Sequence, residues 1–128
     1  MIKRKVMIVD DNKDFLDQLE ELLKASGYKM VAVNDAVAAI DVAVKTQPDI
    51  IILDVKMPGK TGFQVAEELR RTSGLEDVPI MAMTGFYTRE DCNQLIGEYG
   101  INKCLIKPFR PLDVIAKIEE LLSDKIYN

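Results

Sequence analysis

The run Ile50-Ile51-Ile52-Leu53 leaves few folds open to this chain. Consecutive apolar, β-branched residues do not suit a strand with one wet face; they suit a central strand covered on both sides, as in a parallel sheet. Four more short apolar runs accompany it: Val6–Val9, Met30–Val33, Pro79–Met83 and Cys104–Ile106. Helical spacing fills the intervals. Phe15, Leu16, Leu19, Leu22 and Leu23 form one apolar face that stops at Gly27, and Ala36, Ala39, Ile40, Ala43 and Val44 form a second that ends before Pro48. After a loop with Pro58, Gly59 and Gly62 come Val65, Ala66 and Leu69; Leu95, Ile96 and Tyr99 close at Gly100; Pro111 opens a last helix with Ile115, Ile118, Leu121 and Leu122 inward. Five β–α units predict an α/β fold, a doubly wound five-stranded parallel sheet with five helices on both faces. A (β/α)8 barrel needs roughly twice the length. The 128 residues read as one domain, 1–128, with a core of about 5–123.

Composition removes several chemistries. The chain has no histidine, so His-based acid–base catalysis, Ser–His triads and His metal ligation are excluded. Two cysteines, Cys92 and Cys104, are too few for a disulfide framework or a zinc site. With 17 basic and 21 acidic residues and a net charge of −4, no basic face is evident, which disfavours direct nucleic-acid binding. The apolar stretch before Asp10 is too short for a signal peptide or a membrane span. These features predict a soluble, cytoplasmic protein without membrane insertion.

In open α/β sheets ligands bind outside the carboxyl ends of the strands. Strand one ends in Asp10-Asp11, strand three in Asp54, strand four in Thr84-Gly85 and strand five in Lys107-Pro108; strand two ends only in Asn34-Asp35, ordinary loop punctuation. Taken singly, each has a plain structural role: Asp11 can cap a helix, Thr84-Gly85 can be a turn, and a lysine before proline can simply be exposed. Taken together, they put three carboxylates, a hydroxyl and an ammonium on one edge. Two unit charges at ~4 Å repel by about 4 kcal/mol at an effective dielectric near 20. A hard divalent cation relieves that repulsion, and an oxygen-only donor set favours Mg²⁺. With Lys107 and Thr84 beside it, the arrangement is a receptor for a phosphoryl group.

Over nearly its whole length, Val6 to about Leu122, the chain resembles the receiver domain of two-component response regulators. The resemblance rests on Val9-Asp10-Asp11, Leu53-Asp54-Val55-Lys56-Met57-Pro58-Gly59, Met83-Thr84-Gly85 and Lys107-Pro108-Phe109, in order and on the expected strands. It implies a flavodoxin-like sheet of strand order 2-1-3-4-5. Asp54 would be the phosphoacceptor, supplied by a phosphohistidine on a sensor histidine kinase or a histidine phosphotransfer protein. Asp11 and Asp54 would ligate Mg²⁺ directly, Asp10 through water, and the Lys56 backbone carbonyl would be a further ligand. Thr84 and Lys107 would hold phosphoryl oxygens, with a cis peptide between Lys107 and Pro108. The protein would be a regulatory phosphoacceptor and not an enzyme in its own right, acting on a downstream protein target still to be identified.

Three features depart from the family pattern. Cys104 stands where an aromatic residue is common three places before the lysine, so ring rotation is absent from the switch or taken over by Phe86 or Tyr87. Lys56 and Phe86 flank the path of a hydrolytic water and predict a long-lived phosphoryl group. The chain ends soon after the last helix, which leaves two readings: a stand-alone unit whose output is protein contact, slightly favoured by the short tail, with Arg89, Glu90 and Asp91 as one candidate face, or the receiver segment of a longer protein. Rival readings fare less well. An Mg²⁺-dependent aspartyl-phosphate phosphohydrolase needs a second carboxylate just after the nucleophile, where Lys56 stands. A flavin carrier needs a Ser/Thr/Gly-rich phosphate loop where Asp10-Asp11-Asn12-Lys13 stands. A degenerate receiver serving only as an interaction module is set against the presence of all five site residues.

Overall fold

The structure, a computed structural model, describes residues 3–57, 59–85, 89–106 and 109–127. Strands β1 (Lys5–Val9), β2 (Lys29–Val33), β3 (Ile50–Asp54), β4 (Ile80–Thr84) and β5 (Lys103–Ile106) alternate with helices α1 (Lys13–Ala25), α2 (Ala39–Thr46), α3 (Gly62–Arg70), α4 (Arg89–Tyr99) and α5 (Pro111–Tyr127). The sheet is parallel throughout, in the order β2-β1-β3-β4-β5. This is the doubly wound, flavodoxin-like arrangement that the alternating pattern and the resemblance predicted.

The apolar run at β3 divides its side chains between two cores, and this is why it carries no polar residue. Ile51 and Leu53 join Met7, Val9, Ile80 and Ala82 on the face covered by α2 and α3, while Ile50 and Ile52 join Val6, Ile8, Met81 and Met83 on the face covered by α1 and α5. All four residues of the run are fully buried. A one-residue slip in register would exchange the two sets, so the strand is fixed by both layers at once.

Two local expectations change. The apolar pattern from Ala36 does not form one helix: Ala36–Ala38 is a 3-10 turn capped by Asp35, whose carboxylate accepts the Val37 N–H at 3.0 Å, and α2 proper begins at Ala39. Val44 is 45% exposed, not inward. It lies about 100° round the helix from buried Ala43, past the arc that faces the sheet. Pro79 precedes β4 instead of opening it; lacking an N–H, it contributes only its carbonyl, which accepts from the Ile51 N–H at 2.9 Å.

One side chain makes many of the hydrogen bonds at the far end of α4. The Arg70 guanidinium, at the end of α3, donates to the carbonyls of Gly100 (2.6 and 2.9 Å), Glu76 (3.1 Å) and Val78 (2.6 Å) and to Asn102 Oδ1 (3.0 Å). Asn102 Oδ1 in turn accepts the Ile80 N–H at 2.8 Å, at the start of β4. Gly100 closes α4 at φ +69, and a Cβ there would come within 2.9 Å of the Arg70 Nε, so both the conformation and the space call for glycine. Arg70→Ala removes this fan of charge-assisted bonds. It is expected to destabilise the fold by about 1–3 kcal/mol, the partly exposed carbonyls regaining water. Urea unfolding should show a lower midpoint with unchanged slope, and Arg70→Lys, lacking the planar fork, should recover little of the loss.

Candidate functional site

Three strand ends converge. Val9 pairs with Leu53 across β1 and β3, so the residues that follow, Asp10 and Asp54, emerge side by side. Asp54 pairs with Met83, and Thr84 follows on β4 opposite Ile106, the residue before Lys107. Each strand end is pinned by its neighbour: Asp10 N–H donates to the Val33 carbonyl at 3.0 Å, and Val55 N–H to the Met83 carbonyl at 2.9 Å. Asp10, Asp54 and Thr84 are buried, at 1%, 7% and 1% exposure, whereas Asp11 is exposed.

One carboxylate oxygen from each of Asp10, Asp11 and Asp54 lies within 4.8 Å of the other two. Among the described residues this is the one such group of possible metal ligands. The cap reading of Asp11 does not apply, because Asn12 is the N-cap of α1 and its side chain accepts the Phe15 N–H at 3.2 Å. The Asn12 N–H donates to Asp10 Oδ1 at 2.9 Å, and the Lys56 N–H donates to Asp54 Oδ1 at 3.3 Å. These amides orient the carboxylates without neutralising them.

The donor set suits a small hard cation. All three donors are carboxylate oxygens, with no sulfur or imidazole among them.

Gly62 was expected in a loop but is the first residue of α3. A Cβ there would lie 2.5 Å from the Asp54 backbone oxygen, and the Gly62 N–H donates to the Val55 carbonyl at 2.9 Å. The start of α3 is therefore pressed against the strand end that carries Asp54. The sequence signal for it was Thr61-x-x-Gln64, which forms a reciprocal capping box: Thr61 Oγ1 accepts the Gln64 N–H at 3.2 Å, and Gln64 Oε1 accepts the Thr61 N–H at 2.9 Å.

Other sequence-predicted residues are placed less fully. The Lys56 side chain is exposed. Lys107, Pro108, Phe86 and Tyr87 lie outside the described residues, and with them the cis peptide and the loop aromatics; so do the side chains of Arg89, Glu90 and Asp91. Cys104 is half-buried against the core on the α2–α3 side of the sheet. Nearby, Phe63 of α3 and Tyr99 of α4 stack with centroids 4.9 Å apart and planes at 21°. Among the described residues no helix is long and apolar enough to cross a membrane.

The fold and this acidic strand-end cluster define a class of protein, and comparison with known proteins gives the family. Residues 6–119 match the family model described as response regulator receiver domain. The chain belongs to that family, the receiver domains of two-component response regulators, which are regulatory phosphoacceptor modules. It is 35% identical over 127 residues to a probable transcriptional regulator, ycf27, of Porphyra purpurea, covering 97% of this chain and 50% of that protein. It thus spans about half the length of the curated relatives it matches. Among solved structures it is similar to the chemotaxis response regulator CheY4 of Vibrio cholerae (29% identity, TM-score 0.86, covering 93% of this chain and 98% of that one). It is also similar to a response regulator from Desulfuromonas acetoxidans (27% identity, TM-score 0.84, covering 94% and 97%).

Two predictions follow from the geometry. Asp10→Asn removes one of three mutually repelling charges, so the metal-free protein should unfold at a higher temperature than the wild type, while the rise in Tm on adding Mg²⁺ should shrink. Gly62→Ala should destabilise by about 1–3 kcal/mol through its clash with backbone, and should weaken Mg²⁺ binding as Asp54 shifts; thermal unfolding with and without Mg²⁺ measures both.

Proposed function

We propose that Asp54 is the phosphoacceptor of a two-component or phosphorelay pathway, taking its phosphoryl group from a phosphohistidine on a sensor histidine kinase or a histidine phosphotransfer protein. The convergence of the Asp10, Asp11 and Asp54 carboxylates within 4.8 Å carries this reading. Asp54 acts ionised, so it needs no histidine base, which the chain lacks. Its oxygen attacks phosphorus as the P–N bond of the donor breaks; the electron pair of that bond returns to the donor imidazole. The Lys56 N–H donated to Asp54 Oδ1 aims the carboxylate. Asp10, Asp11, Asp54 and the Lys56 carbonyl are the residues that would hold Mg²⁺. When bound, the ion supplies charge neutralisation for the transferring group. Lys107, the residue after Ile106 in the chain, would add a positive charge, and the Thr84 hydroxyl binds a phosphoryl oxygen, which couples the new charge to the segment after β4.

The same reading assigns the protein a cytoplasmic place and a protein target downstream, with no direct nucleic-acid contact by this segment, whose net charge is −4. Lys56, exposed beside Asp54, crowds the approach of a hydrolytic water. The phosphorylated protein, with no phosphatase added, should therefore keep its label for minutes rather than seconds, and Lys56→Gly should shorten that time.

Intact mass after incubation with Mg²⁺ and acetyl phosphate tests the assignment. A gain of one phosphoryl group is expected, lost on chelation of Mg²⁺ and in Asp54→Ala. A phosphoryl group that persists in Asp54→Ala would overturn it. Repeated release of phosphate from small monoesters would point instead to a phosphohydrolase.

A further inference from the structure

We propose that Cys92 and Cys104 are a redox-responsive pair, which a hydroperoxide closes to an intramolecular disulfide that ties α4 to β5. Both thiols are free. Cys92 lies near the start of α4 and is buried at 3% exposure; Cys104, on β5, is half-buried. They line the same cavity, about 330 Å³, between α4 and β5, with Ile96 and Ile106 as apolar wall and Lys103 and Lys117 at its edge. Two cysteines serving only as small apolar filler would be expected to pack without such a space. Rotation about χ1 moves each sulfur, and the shared cavity leaves both sulfurs room to turn toward each other.

The thiols already sense each other. Burial, then hydrogen bonding to Cys92, pushes the Cys104 thiol up to about 12. The two lysines at the cavity do not reverse this, since both ammonium groups are paired with Glu120. The Cys104 thiolate is therefore scarce near neutrality, and the pair responds to sustained oxidant, not to a brief pulse. Cys104, the more accessible thiol, reacts first. Its sulfur attacks one peroxide oxygen, the O–O bond breaks, and a sulfenic acid forms with release of one water. The Cys92 sulfur then displaces the sulfenic hydroxyl, which leaves as a second water with the Cys92 proton, and the S–S bond forms. Each thiol gives up one electron, and the peroxide accepts both.

The bond has a defined mechanical result, and it forms independently of phosphoryl transfer. In the chain α4 and β5 lie between Thr84 and Lys107. Oxidation fixes the spacing of these two elements.

The reduced full chain, treated with hydrogen peroxide and mapped by peptide mass spectrometry under non-reducing conditions, tests the proposal. Expected are a monomer lighter by two hydrogen atoms, a peptide cross-linked from Cys92 to Cys104, reversal by dithiothreitol, and slower amide exchange in α4 of the oxidised form. Cys92→Ser and Cys104→Ser should each abolish the cross-link. Thiols that stay reduced, Cys104 carried to sulfinic acid with Cys92 intact, or cross-links only between molecules would overturn the proposal, and so would α4 exchange unchanged by the bond. The wild-type peptide map decides the matter even if a serine variant folds poorly.

Discussion

Three carboxylates held within 4.8 Å of one another are the constraint that the rest of this structure supports. Left to itself a chain would separate them, because two such charges at ~4 Å repel by about 4 kcal/mol even at an effective dielectric near 20. For Asp10 and Asp54 the backbone limits this, because they sit at the paired ends of β1 and β3, where Val6–Val9 and Ile50–Leu53 are fully buried, so neither strand end can move without opening a core. Stability in the two apolar layers is thus converted into an unfavourable electrostatic arrangement at one edge, the pattern expected where a protein holds a binding site ready in advance.

The glycine at the start of α3 shows how closely that edge is specified. Gly62 serves two ends: its N–H satisfies the Val55 carbonyl, and its missing side chain lets the helix start pass against the Asp54 backbone. The capping box of Thr61 and Gln64 then fixes where α3 begins. Helix start, strand end and carboxylate position are one linked feature, set by residues that never touch a ligand.

Much of this was legible in the sequence, and the reasons differ from element to element. The central strands β3 and β4 could be read because a doubly covered strand must be apolar along its length, as Ile50–Leu53 is. The strand-end carboxylates could be read because parallel sheets present their carboxyl ends to one edge. Ala36–Val44 was misread because small residues carry a weak periodicity, and the Asp35 cap selects a tighter turn before the helix proper begins. The cap of α1 was read one residue early: Asp11 was the plain candidate, Asp and Asn have similar capping preference, and the geometry gives the role to Asn12 and leaves Asp11 to the acidic cluster. Gly62 was beyond pattern reading because its requirement comes from a close approach between segments, not from its own conformation.

The C-terminal end of α4 is held by several contacts, and this bears on how a change at the acidic edge would travel. At its C-terminal end, Tyr99 stacks on Phe63, the Gly100 carbonyl accepts two Arg70 bonds, and the Ile101 N–H donates back to the Ile96 carbonyl at 3.1 Å. That end is joined to α3 and, through Asn102, to the start of β4. The other end follows Thr84 by only a few residues. If Thr84 binds the phosphoryl group as proposed, a displacement starting there would reach α4 from its Arg89 end, opposite the contacts at Gly100. A helix held at one end would turn about that end, and its first turn would move most. Cys92 lies in the first turn of α4 while Cys104 is set in β5, so the element that would report phosphorylation also carries the thiol that would restrain it.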